Sequence, residues 1–154
     1  MAVRVFKDFA ELKGAVGQEL GVSDWMTMTQ ERVNTFAEAT GDHQWIHVDV
    51  ERCKKDMPDG KPIAHGYLTL SLCSQFVGQV RKIDGIRRGI NYGSNRVRFI
   101  SPVQVGARIR GRVKLKAVDD VPPNAVRCTY ETTVEIEGGG KPACVAETIG
   151  VHEQ

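Results

Sequence analysis

Two stretches of the chain carry groups that could do chemistry together. One is Ala39-Thr40-Gly41-Asp42-His43-Gln44-Trp45-Ile46-His47-Val48-Asp49, and the other, a short way downstream, is Ala64-His65-Gly66. They supply a carboxylate, an imidazole and a glycine backbone N–H, the minimum set for adding water to an activated double bond. Water is a poor nucleophile, and a general base within hydrogen-bond reach must take its proton. On a continuous helix the spacing of Asp42 and His47 would put them about 140° apart around the axis, so a bend has to bring them together. Gly41 supplies it. A glycine after the periodic run Val33, Phe36, Ala37 reads as a left-handed helix cap, leaving Asp42 as the first residue beyond the helix.

Each of these residues also has an ordinary explanation. A Gly-Asp after a helix is usually a cap and a turn, and a lone histidine is more often a hydrogen-bonded structural one. The functional reading gains from their conjunction with Gly66 at the head of an apolar helix. There an N–H without an intrahelical partner points out at the positive end of the helix dipole, where an oxyanion could be received. His65 reads as a brace for the loop, His43 as exposed, and Asp49 as the N-cap of the next short helix. His43 and His47 also form an i, i+4 pair beside Asp42 and Asp49, so a metal site has to be weighed. Such a pair ligates metal from a helix, and Gly41-Asp42 marks this segment as a loop, so no metal is expected.

The elements that must position these groups follow from periodicity. The pattern predicts a short helix near Phe6 to Lys13, an extended piece from Gly21 to Met28, and a helix capped by Thr29 and stopped by Gly41. A loop over 42–49 follows, then a helical turn over Val50 to Lys55 and a turn-rich segment from Asp56 to Pro62 that could serve as a flap. Gly66 to Val80 is apolar on nearly every side, the mark of a buried helix. Ile90 to Ile100 reads as extended. Ala107 to Ala117 and Val126 to Glu137 alternate apolar and polar residues strictly, joined by a loop over Asp119 to Asn124, and a last strand spans Ala143 to His152. The expected architecture is α+β: one hot-dog domain over residues 1–154, an antiparallel sheet wrapped around a long central helix.

Composition narrows the partners. A chain of 154 residues with 41% hydrophobic and 26% charged residues suits one globular domain. Its 21 basic and 19 acidic residues leave +2, too little to imply nucleic acid or a membrane surface. The stripe Arg108, Arg110, Arg112, Lys114, Lys116 faces Glu131, Glu135 and Glu137 of the next strand, which predicts cross-strand ion pairs. No apolar run reaches the roughly 20 residues of a membrane span, and the N-terminal segment lacks a signal-peptide core, so a cytoplasmic location is expected. Cys53, Cys73, Cys128 and Cys144 form no C-x-x-C motif and read as reduced, buried residues. No cofactor is expected.

The stretch Thr40 to Asp49 with Ala64-His65-Gly66 resembles the MaoC-like dehydratase family, which includes the R-specific enoyl-CoA hydratases. Family members show Gly-Asp-x-Asn-Pro-(apolar)-His-x-Asp and then Ala-His-Gly at the head of the central helix. Here Gln44-Trp45 replaces Asn-Pro, as in the branch related to nodulation protein N. The resemblance implies reversible syn addition of water to a trans-2-enoyl-CoA, giving an R-3-hydroxyacyl-CoA. Asp42 and His47 would activate the water, with Asp42 the expected base and the exact division left open, and the Gly66 N–H would receive the thioester oxygen. It further implies that His65, Trp45, Tyr92, Asn95 and Arg96 contact substrate. The depth of an acyl pocket would depend on how Trp45, Phe76 and the 56–62 loop pack, and Arg87, Arg88, Arg96 and Arg98 are the basic group nearest in sequence for CoA phosphates, with the one used left open. A homodimer joined at its sheet edges is expected. The alternatives are a dehydratase acting on an acyl-carrier-protein thioester, a non-catalytic acyl-CoA-binding module, and a thioesterase.

Overall fold

A computed structural model describes residues 2–154. Its elements are β1 (Arg4–Phe6), α1 (Phe9–Lys13), β2 (Glu19–Val22), β3 (Met26–Thr27), α2 (Gln30–Thr40), α3 (Trp45–Val48), α4 (Val50–Asp56), α5 (Gly66–Val80), β4 (Arg81–Ile83), β5 (Arg88–Phe99), β6 (Arg108–Val121), β7 (Ala125–Ile136) and β8 (Cys144–Glu153). The main sheet has the order β2-β6-β7-β8-β5, with β3 also paired to β6, and every pairing in it is antiparallel. β1 and β4 form a separate parallel pair. This is the expected hot-dog arrangement, with α5 lying across the inner face of the sheet.

α5 holds that place because Leu68, Leu72, Cys73, Phe76, Val77 and Val80 on one side of it are buried, against inward residues that include Ile109, Val113, Leu115, Val134 and Ala146. Each large apolar side chain removed from water in this layer contributes about 1.5–3 kcal/mol. The closest approach is at Gly111, where a Cβ would lie 2.6 Å from Phe76 Cβ. Only glycine fits there.

Several expectations need correction. α5 is not covered all round: Tyr67 is 69% exposed, and Ser71, Ser74 and Gly78 continue that open flank. The alternation of β6 changes phase at a β-bulge, where register shifts between Leu115 and Ala117, so Val118 rather than Ala117 packs on the core. No loop spans 119–124. Asp119 and Asp120 pair with Arg127 and Val126, and only Pro122 to Asn124 turns the chain. Phe6 sits in β1, and the first helix starts after Asp8, whose carboxylate accepts from the Glu11 N–H at 2.8 Å.

The outer sheet face is self-paired as expected. Arg110 and Arg112 reach Glu135 at 2.8 and 2.7 Å, Arg112 also reaches Glu19 at 3.0 Å, and Arg108 meets Glu137 at 2.9 Å. Burial pushes the Glu135 carboxyl up, but hydrogen bonds and charge from Arg112 and Arg110 outweigh it and hold the group below the usual carboxylate range. All four cysteines are free and buried, and burial pushes the Cys73 thiol up to about 12, far from a reactive thiolate.

Candidate active site

The site begins where α2 stops. Thr29 caps the start of α2 by accepting from the Arg32 N–H at 3.1 Å, and Gly41 ends it with φ 78°, its N–H bonded to the Ala37 carbonyl at 2.8 Å. A residue with a Cβ would strain that left-handed cap. The chain then folds back on itself. The Asp42 carboxylate accepts from the Gln44 N–H at 3.3 Å, and the segment expected as a loop contains one helical turn, α3, which carries His47 inward. Gln30 ties this turn to the start of α2 by donating to the His47 carbonyl at 2.8 Å. Asp49 caps α4 as predicted, accepting from the Arg52 N–H at 3.0 Å.

Two backbone carbonyls set the histidine tautomers. His47 Nδ1 lies 2.7 Å from the Ile63 carbonyl, and His65 Nε2 lies 2.9 Å from the Asp42 carbonyl. A carbonyl only accepts, so both ring nitrogens donate. In a neutral ring this leaves His47 Nε2 and His65 Nδ1 as the acceptors. The His65 Nδ1 is buried without a protein partner. The two rings stack with centroids 3.9 Å apart and planes 25° apart, and Phe36 closes on His65 at 4.9 Å. An Asp42 carboxylate oxygen and one nitrogen of each ring all lie within 4.8 Å of one another, a spacing that a single water molecule can bridge. His65 is thus the brace expected, and it also stands within reach of Asp42 and His47. In the single chain Asp42 is exposed.

The same three side chains form the one combination, among the described residues, that could hold a metal ion. In-plane lone pairs on stacked, nearly parallel rings run side by side rather than converging on one point about 2 Å from each, as a metal requires. Their chemistry suits a hydrogen-bonded water better. His43 is not in the group; it lies exposed 3.6 Å from Glu38.

Gly66 opens α5, and no side chain caps the helix there. It lines a cavity of about 320 Å³ together with His47, Thr69, Phe99, Pro102 and Ala143. Phe99 lies over it, with three ring carbons 3.3 Å from where a Gly66 Cβ would stand. Asp42 does not line this cavity and reaches it through its proximity to His47. Ile63 and Ala64 are anchored to Ile46 and Val103 by backbone bonds of 3.0 and 2.7 Å, which fixes Gly66 relative to His47.

Other predicted contacts fall elsewhere. Trp45 faces the Arg52 guanidinium at 4.1 Å and lines neither of the two cavities described. Tyr92 and Asn95 are the extra residues of two β-bulges in β5. Tyr92 packs under Arg127 at 5.3 Å, Asn95 donates to Glu147 at 3.0 Å, and Arg96 is exposed opposite Glu147. Phe76 is spent on the core. The 56–62 segment is tied to the 104–105 turn, with Asp59 accepting from Gln104 at 2.8 Å and the Pro62 carbonyl accepting from the Val105 N–H at 2.9 Å. Sequence reasoning missed Phe99 and Thr69. The one available signal for Phe99 was a large apolar residue just before Ser101-Pro102.

Residues 11–136 match the family model described as MaoC like domain. The chain is 51% identical over 147 residues to the 3-hydroxyacyl-thioester dehydratase Z of Mycobacterium tuberculosis, covering 96% of this chain and 97% of that protein. It is 46% identical over 144 residues to nodulation protein N of Rhizobium leguminosarum bv. viciae, covering 92% and 89%. Among solved structures, the (R)-hydratase from A. caviae involved in PHA biosynthesis superposes with a TM-score of 0.69 at 25% identity, covering 88% and 94%. With the match spanning most of the chain and both motifs in place around one site, this protein belongs to the MaoC-like family of hydratases and dehydratases.

Proposed function

We propose that this protein is an R-specific enoyl-CoA hydratase, adding water reversibly and syn to a trans-2-enoyl-CoA to give the R-3-hydroxyacyl-CoA. The observation that carries the reading is the grouping of the Asp42 carboxylate and the ring nitrogens of His47 and His65 within 4.8 Å, beside the uncapped helix start at Gly66. A water held between Asp42 and His47 loses a proton to this pair as its oxygen bonds to the β carbon. The alkene electrons pass through the α carbon to the thioester oxygen, which the Gly66 N–H receives. The proton then returns to the α carbon from the same side, so both additions share one face. His65 positions the pair through the Asp42 carbonyl and the stacked His47 ring.

The reverse reaction uses the same groups. The relative named 3-hydroxyacyl-thioester dehydratase supports a second reading, dehydration of a 3-hydroxyacyl thioester carried on CoA or on acyl-carrier protein. For a CoA carrier, Arg88 is already held by Glu153 and Arg98 by the Val97 carbonyl, which favours Arg87 and Arg96 as phosphate contacts.

The working form is proposed to be a homodimer. β5 forms a strip exposed along nearly its whole length at the edge of the sheet, and it carries the exposed apolar side chains Tyr92 and Phe99, with Tyr67 against Phe99 and Ile100 next in sequence. Covering that strip would remove the edge liability and reduce the exposure of the site. No helix among the described residues is long and apolar enough to cross a membrane, and the proposed setting is the cytoplasm.

Loss of absorbance at the enoyl-thioester band on mixing the protein with crotonyl-CoA, with chiral analysis of the product, tests the assignment. Formation of R-3-hydroxybutyryl-CoA supports it. No loss with any trans-2-enoyl-CoA, while a 3-hydroxyacyl carrier-protein thioester is dehydrated, moves it to the second reading.

A further inference from the structure

A second cavity, of about 360 Å³, opens along the same helix beyond the candidate site, between the C-terminal half of α5 and the strands β5 and β8. Its walls are half apolar, from Leu70, Val77 and Ile149, and glycines at 78, 89, 93 and 150 keep it clear of side chains. Nothing in the reaction proposed above uses its deepest feature, a cluster of Arg81, Tyr130 and His152.

Arg81 Nε donates to the Tyr130 hydroxyl at 2.9 Å, and Arg81 Nη2 lies 3.1 Å from His152 Nε2. The Tyr130 hydroxyl stands 3.3 Å from the same nitrogen. A guanidinium only donates, so His152 Nε2 is an acceptor and the imidazole is neutral. Burial, with the nearby Arg81 charge, holds His152 down at about 4, consistent with that tautomer at neutral pH. Burial also pushes the Tyr130 phenol up, so it stays un-ionised. The cluster therefore carries one full positive charge and no negative one, and none of the described carboxylates pairs with Arg81. Two of its five N–H donors are spent on neutral partners, which leaves three for something else. A buried or half-buried guanidinium is normally matched by an anion.

We propose that this cavity is a carboxylate-binding pocket, in which Arg81 receives the carboxylate of a molecule whose short apolar chain lies against Leu70, Val77 and Ile149. The planar fork of guanidinium donors fits a carboxylate's two oxygens, and the half-apolar wall selects against bare inorganic anions. The carboxylate belongs either to a free medium-chain acid or to the far end of an acyl thioester seated at Gly66. The second source alone rests on the hydratase reading. Both cavities flank adjacent turns of α5, Thr69 lining one and Leu70 the other.

Titration calorimetry on the assembled protein tests this without turnover, using octanoate as probe and octanol as its uncharged control. The pocket predicts saturable binding of octanoate at millimolar concentration or below, and binding of octanol at least about tenfold weaker. Arg81→Gln should weaken octanoate binding by at least about tenfold while leaving octanol unaffected. Gly78 lines the cavity and a Cβ there meets nothing within 4 Å, so Gly78→Leu puts a side chain into the cavity without a backbone clash and should also abolish binding. It carries the test if Arg81→Gln does not fold. Equal affinity for octanol, no octanoate binding at millimolar concentration, or octanoate binding unchanged in Gly78→Leu each overturns the proposal. Displacement of octanoate by the CoA monothioester of a dicarboxylic acid identifies the acyl source, and failure to displace identifies the free acid. Since hydration is not measured, a failed titration leaves the crotonyl-CoA assay standing.

Discussion

Asp42→Asn isolates the base from everything else that Asp42 does. The variant keeps an oxygen to accept the Gln44 N–H, now at 3.3 Å, and keeps the backbone carbonyl that accepts from His65 at 2.9 Å. The side chain is exposed, so no cavity opens and no buried charge is stranded. Its stability cost should stay within about 0.5 kcal/mol, as for surface changes generally. In a domain of this size that is a melting shift of about 1–2 °C. What disappears is the carboxylate that takes a proton from water. General-base removal costs at least about a hundredfold in turnover, or about 2.7 kcal/mol in the barrier. The assay is absorbance loss with crotonyl-CoA at saturating substrate, alongside a thermal melt, with KM changing little because Asp42 does not line the thioester cavity. Turnover within about threefold of wild type, in a protein with unchanged melting, would refute the assignment of Asp42 to the reacting water.

Three further outcomes are expected. His47→Ala should lose at least about a hundredfold in turnover while still folding, and it should melt lower than Asp42→Asn because it leaves the Ile63 carbonyl unpaired and unstacks His65; kinetics beside a melt checks both. Gly111→Ala forces a Cβ to within 2.6 Å of Phe76 and should cost about 1–3 kcal/mol, read as a clear drop in denaturant midpoint at unchanged slope. Stability should also fall on acidification through His152. Its folded value of about 4 lies below the ordinary 6.5, so below pH 6.5 the unfolded chain takes up a proton that the folded one refuses. That loss grows between pH 6.5 and about 4 to roughly 3 kcal/mol and is absent above that window. Melts of wild type against His152→Asn over this range should converge in slope if the group is responsible for none of it.

Much of the fold was legible because its signals are local and periodic. Strict alternation in β6 and β7, the Thr29 and Asp49 caps and the Gly41 stop each act within a few residues, and each appears where the sequence put it. The errors arise where long-range contacts decide. The bulge at Lys116 shifts the phase of β6 with no turn residue to announce it. Tyr67 reads as core although it is exposed, and Leu70 is only half-buried against the core's margin. The Asp42, His47 and Gly66 positions follow from motif order, but the role of His65 as stacking partner and the placement of Phe99 over Gly66 depend on α2, α5 and β5 meeting in space. Trp45 and Tyr92 were assigned to substrate from the resemblance, and the arginine against each, Arg52 and Arg127, was not legible in the sequence.

The contact between Phe76 and Gly111 has a consequence at the other end of the central helix. Phe76 lies ten residues from Gly66, about 15 Å along a rigid rod. A ring seated on bare backbone admits one rotation of that rod and little sliding, so it works as an alignment pin. Any twist imposed at the pin swings the first N–H of the helix away from His47, although nothing there has been altered. A misfit deep in the sheet would therefore be felt as mis-aim at the helix start, and under the proposed reaction a substitution at Gly111 should cost turnover in molecules that remain folded.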